Sequence, residues 1–160
     1  MKIDLFDVEL WMTEHEVDYR YNLAETCVAS MSINDLLELS GNRDKILNDI
    51  LTTKLDYGPI VGSERLRSQI CKLYKTGDID NITITQGCIN ANELVLISLL
   101  NPGDHIITVT PTYQQFYSFP KSLQVATSLI ELKEENNWIP DIDEFKEAIN
   151  EQTKMICLVN

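Results

Sequence analysis

Three short stretches hold residue types whose spacing could do chemistry. "TITQGCINAN" (83–92) breaks a β-like run on Gly87 and leads at once into an apolar helical stretch. A glycine between strand and helix leaves backbone N–H groups free at the helix N-terminus. Those donors, with the helix dipole, suit a phosphate. The same turn also serves simply to reverse the chain, so both readings of Gly87 stand. The stretch is neither G-x-G-x-x-G nor a P-loop, so it gives no specific support for a nucleotide. "PTYQQFY" (111–117) follows a second β-like run. There Tyr113 either offers a flat face to a ring or joins Phe116 and Tyr117 on the core face of a helix. "YGPIVGSERLR" (57–67) places Tyr57 in a loop ahead of a helix. Its hydroxyl either reaches a ligand or partner subunit, or belongs to a plain turn before an amphipathic helix. Arg65 and Arg67 read as solvated or paired with acids.

Other chemistry finds little footing. Two histidines and scattered serines give no Ser–His–Asp arrangement. The four cysteines, Cys27, Cys71, Cys88 and Cys157, form no C-x-x-C pair and no zinc-ligand spacing with His15 or His105. Asp141 and Asp143 read as helix-capping acids.

The elements that must position these residues follow from periodicity. Residues 1–30 read as irregular, anchored by Trp11. Ser32 or Asn34 caps a short helix that stops at Gly41. Residues 43–53 put Ile46, Leu47, Ile50 and Leu51 on one face, and Ser63 opens a helix whose stripe is Leu66, Ile70 and Leu73. Strands are predicted at 81–85, 105–109, 124–132 and 154–159. Helices are predicted at 90–100, 113–123 (disturbed by Pro120) and 141–150, the last with an Asp141/Glu144 capping box. Strands alternating with helices imply an α/β layer with a largely parallel sheet. The apolar run 154–159 suits a central strand covered on both faces.

Bulk properties exclude several classes. With 13 basic against 25 acidic residues the net charge is −12 and no Lys/Arg cluster exists, which argues against nucleic acid. The longest strongly apolar run, 94–100, is too short to span a bilayer. The start "MKIDLFDVEL" carries acids where a signal peptide needs basic residues, so a cytoplasmic protein is expected.

Taken together, the stretches resemble the class I/II aminotransferases, the fold-type-I enzymes that use pyridoxal 5′-phosphate. The resemblance rests on Y-G-x-x-x-G-x-x-x-L-R at Tyr57, Gly58, Gly62, Leu66 and Arg67, then "ITITQGCINAN", "LLNPGDHIITVTPTY", "NNWIPDIDEF" and "TKMICLVN". It covers roughly residues 20–160. It implies a three-layer α/β/α large domain with a mostly parallel sheet, of which this is an incomplete, N-terminal part. Residues 1–42 would be an N-terminal, substrate-side arm, and 43–160 the start of the cofactor-binding domain.

The resemblance also implies roles. Gly87, Cys88 and Ile89 would cradle the cofactor phosphate, and Tyr113 would stack on its ring. Tyr57 would reach the phosphate of the neighbouring subunit in a homodimer. Asn160 would border the pocket and Glu25, in "YNLAET", would touch substrate. The family's Schiff-base lysine would lie beyond Asn160, so this chain by itself is expected to be inactive. The implied reaction moves an amino group between an amino acid and a 2-oxo acid. Alternatives are β-elimination or oxidative deamination (for example of arginine) on the same fold, or a non-catalytic α/β module that binds a phosphate ligand.

Overall fold

The computed structural model describes residues 2–16, 18–24 and 27–159. Its centre is a parallel sheet of three strands, β1 (His105–Thr110), β2 (Ala126–Glu131) and β3 (Thr153–Cys157), in the order β2-β1-β3. His105 of β1 stands opposite Ala126 on one side and Thr153 on the other. Successive β1 side chains point to opposite faces, as a pleated strand requires. Ile106 packs with Leu96, Leu100, Phe119, Val125 and Cys157, while Ile107 and Val109 pack with Ile130 and Phe145. The first cluster draws on α5 (Gly87–Leu99) and α6 (Gln115–Ser122), the second on α7 (Ile142–Ala148). Helices therefore cover both faces of β1, and the predicted α/β layer with a parallel sheet forms.

Among the described residues four α-helices precede this layer, α1 (Asp7–His15), α2 (Ile33–Ser40), α3 (Arg43–Thr52) and α4 (Glu64–Cys71), with a 3-10 turn at Ile79–Asn81. Ser32 caps α2 in a capping box with Asp35, and Gly41 ends it in the left-handed conformation. Ser63 caps α4 by accepting from the Leu66 N–H at 3.3 Å. α4 stops at Cys71, so Leu73 lies beyond the helix and its predicted stripe is cut short.

Several expectations are overturned. The N-terminal stretch is irregular only in part: α1 forms within it and ties to the start of α6, since the Asp7 N–H donates to Gln114 Oε1 at 3.1 Å and Gln114 Nε2 donates to the Leu5 carbonyl at 2.6 Å, while the other described residues up to 30 form no helix or strand. Residues 82–85 are not a strand. Ile82 is extended, but a ladder needs a neighbour, and among the described residues the segment gains only one bond of that kind, from the Ile84 N–H to the Val61 carbonyl. Among the described residues of this chain β3 is paired with β1 alone, and its exposure alternates, with Ile156 open and Cys157 buried. The capping box at α7 is replaced: Asp141 accepts from the Asp143 N–H, while Glu144 pairs with Lys133 at 3.0 Å.

At the amino end of the sheet, buried His105 joins all three strands. Its Nδ1 lies 2.8 Å from Thr153 Oγ1 and its Nε2 2.9 Å from Ser128 Oγ. A polar group that loses its partner in a buried place costs about 1–3 kcal/mol. His105→Leu is therefore expected to lower the free energy of unfolding by roughly that much, read as a shifted urea midpoint with unchanged slope. An unshifted midpoint would show that the imidazole does not hold the strands together.

Candidate functional site

α5 opens without a cap. Gln86 makes no side-chain capping bond, and Gly87 sits at φ +80°, a region that side chains avoid. The turn is tied to itself: the Gly87 N–H donates to the Thr85 carbonyl at 3.1 Å, and Thr85 Oγ1 donates to the Gly87 carbonyl at 3.0 Å. The N–H groups of Cys88 and Ile89 lie in the first turn, where a helix offers no internal acceptor. They stand at the positive end of the helix dipole. A Cβ on Gly87 would meet nothing within 4 Å, so conformation and not crowding favours glycine here.

This helix end faces an open, mostly apolar cleft of about 540 Å³ at the carboxyl end of the sheet. Cys88, Ile89 and Asn92 of α5 form one wall. Tyr113 and Phe116 form another, and Leu158 and Val159 follow β3 into it. Ligands of open α/β sheets collect at this end. Three of the candidates, Cys88, Ile89 and Tyr113, thus come together, with Gly87 at their edge. Phe116 also packs against the core, as its helical position predicts.

Tyr113 is held from the N-terminal side. Its hydroxyl donates to Glu9 Oε1 at 3.3 Å, and the Phe6 ring meets it edge-on with centroids 5.7 Å apart. Burial first, and then the Glu9 carboxylate, push the phenol above its ordinary range, so it remains a protonated donor at neutral pH. Beside it, Thr112 Oγ1 is buried with no hydrogen-bond partner among the described residues.

Two features behind the cleft escaped the sequence. Gln115 is buried; its Nε2 donates to the Ile89 carbonyl at 2.7 Å, and its Oε1 accepts from Asn92 Nδ2 at 3.0 Å. Arg67, read as solvated or acid-paired, is largely buried; it pairs with Asp80 and also grips backbone. Its Nε donates to the Ile82 carbonyl at 2.8 Å and its Nη2 to the Ile79 carbonyl at 2.7 Å, with Asp80 at 3.2 Å. Arg67 thereby fixes the extended segment that leads into Gly87. Its position one turn inside the Ser63-capped helix, beside Ile70 on the inner face, is the signal that would have found it.

Tyr57 does not join the cleft; it is fully exposed in its loop. Glu25 and Asn160 lie outside the described residues. Among the described residues, no group of three or more His, Cys, Asp or Glu could hold a metal ion, and no helix is long and apolar enough to cross a membrane. The cleft can hold an anion at the end of α5 and a flat ring against Tyr113.

Comparison with known proteins gives a consistent picture. The family model described as aminotransferase class I and II matches residues 28–160. The aspartate aminotransferase of Pyrococcus horikoshii is 32% identical over 107 residues, which cover 64% of this chain and 27% of that protein. The tyrosine aminotransferase of Bos taurus is 28% identical over 64% of this chain and 24% of its own length. The chain thus spans about a quarter of the curated relatives it matches. Among solved structures, a PLP-dependent aminotransferase from Streptococcus suis 89-1591 superposes with a TM-score of 0.93 at 40% identity, covering 98% of this chain and 42% of that one.

Proposed function

Because the chain belongs to the class I and II aminotransferases, with the fold of an incomplete fold-type-I α/β domain, we propose that it supplies the phosphate cradle and ring wall of a pyridoxal 5′-phosphate site. The enzyme so built would move an amino group between an amino acid and a 2-oxo acid. The observation that carries this reading is the single cleft shared by the uncapped start of α5 and the face of Tyr113.

The residues present fit the group. The Cys88 and Ile89 N–H groups are free to receive phosphate oxygens, Gly87 provides the left-handed turn, and Tyr113 offers a ring face. When bound, pyridoxal phosphate acts as an electron sink for the bonds around an amino acid's α-carbon. This chain's share is binding and placement. The helix end orients the phosphate, Tyr113 limits the tilt of the ring, and the apolar cleft wall excludes water from one side. Tyr57, exposed in its loop, is proposed to serve the phosphate of a partner subunit in a homodimer. Residues 1–42 would form the substrate-side arm, consistent with α1 leaning on Tyr113 through Glu9.

Cys88 provides the test, since it is exposed in the cleft while Cys157 is buried in the core. Burial also pushes the Cys157 thiol up, which keeps it unreactive. Pyridoxal phosphate is expected to slow alkylation of Cys88 by iodoacetamide, and pyridoxal without the phosphate to slow it far less. Equal rates with both ligands and with neither would sink the proposal. Tyr113→Ala is expected to weaken protection about 2- to 10-fold, the worth of one aromatic contact. Unchanged protection in that variant would remove Tyr113 from the site.

A further inference from the structure

We infer that Gln115 is a positioning residue that sets the spacing between the phosphate cradle and the ring wall, an inference that rests on the proposed pyridoxal phosphate site. Gln115 follows Tyr113 by two positions and starts α6, yet its side chain reaches across to the opening turn of α5. The orientation of its amide is dictated by its partners. A carbonyl only accepts, so the NH₂ group must face Ile89, and the remaining oxygen then takes the Asn92 amide N–H. Both bonds fall on the wall of the cleft, one of them on the backbone of a cradle residue itself. The side chain is 3% exposed, so water cannot replace it without cost.

The arrangement has a consequence for ligands. Pyridoxal phosphate must satisfy the helix end and Tyr113 together, so it depends on their separation. Inorganic phosphate uses the helix end alone and does not. A device that fixes only the spacing therefore affects the first ligand and spares the second. A residue that merely supports the fold affects both, or neither.

Gln115→Glu makes the test specific. At pH 8 its carboxylate has no proton to give the Ile89 carbonyl, and two acceptors face each other. On acidification the protonated acid regains a donor. Relative to wild type at the same pH, its affinity for pyridoxal phosphate is expected to fall about tenfold at pH 8 and to recover toward about pH 5, with a smaller loss for inorganic phosphate, because the added charge opposes both anions and only the first ligand also needs the spacing. Gln115→Met, which has no donor and no charge at any pH, is expected to lose pyridoxal phosphate affinity without the recovery while inorganic phosphate binding stays within about twofold. Asn92→Ala, which leaves the Ile89 bond in place, is expected to show a smaller loss of the same selectivity. Equilibrium dialysis of the whole protein reads the affinities, and protection of Cys157 from alkylation reads the fold in the same samples. A Gln115→Glu profile parallel to wild type, or equal losses for both ligands in Asn92→Ala, overturns the positioning role. Failure of wild type to bind pyridoxal phosphate at all would instead refute the site on which the role rests.

Discussion

Gly62→Val is expected to lower the free energy of unfolding by about 2–5 kcal/mol. Two costs combine. Gly62 sits at φ +95°, where a side chain costs roughly 1–2 kcal/mol. A Cβ there would also stand 2.6 Å from the Cβ of Ile84, an overlap that forces the two segments apart at about 1–3 kcal/mol. The damage reaches the cleft, because the Ile84 N–H is bonded to the Val61 carbonyl and Ile84 lies just before the turn at Gly87. Gly58, the first glycine of the same Y-G-x-x-x-G pattern, has open space around it and needs no left-handed backbone. Gly58→Ala is therefore the matched control, expected to stay within about 0.5 kcal/mol as surface changes do. A urea titration of both variants decides: similar midpoints for the two would refute the close approach of Gly62 to Ile84.

Ile106→Ala is expected to cost a similar amount, about 2–5 kcal/mol, by a different route. Ile106 is 0% exposed on the central strand and touches the cluster that joins α5 and α6 to the sheet. Truncation removes buried methylenes and leaves a void that its neighbours fill only in part. Cys157 belongs to the same cluster, so its alkylation should accelerate along with the loss of stability. If Cys157 remains as protected as in wild type while the midpoint is unmoved, Ile106 is not the link between helices and sheet.

The parts of the fold that were legible in the sequence are those whose cause is local. α5, β1, β2 and α7 announce themselves by periodicity and turn residues, and the Ser32 and Ser63 caps act within their own helices. What escaped depends on residues far along the chain. α1 has no side-chain cap at Phe6, and its docking on Gln114 joins residues more than a hundred positions apart. Residues 82–85 have strand-like composition, but strand formation depends on a neighbouring strand as much as on propensity. β3 reads as doubly covered because its residues are apolar; among the described residues it has one strand neighbour, β1. In the candidate site, the glycine turn and Tyr113 were legible because residue type and spacing suffice to mark them. Gln115 was not, because a glutamine amid aromatic residues looks solvated until the Ile89 carbonyl is found above it.

The clamp between Gln115 and Ile89 also bears on how the chain assembles. Its ends are 26 residues apart, and the helix end, the ring wall and the clamp all fall in one contiguous stretch. Closing β3 onto β1 through Thr153 and His105 brings together residues 48 apart. Doubling a loop adds only about 0.6 kcal/mol of closure entropy, so the shorter connection holds a small entropic advantage. The cradle and its ring wall therefore close at slightly lower entropic cost than the docking of the third strand.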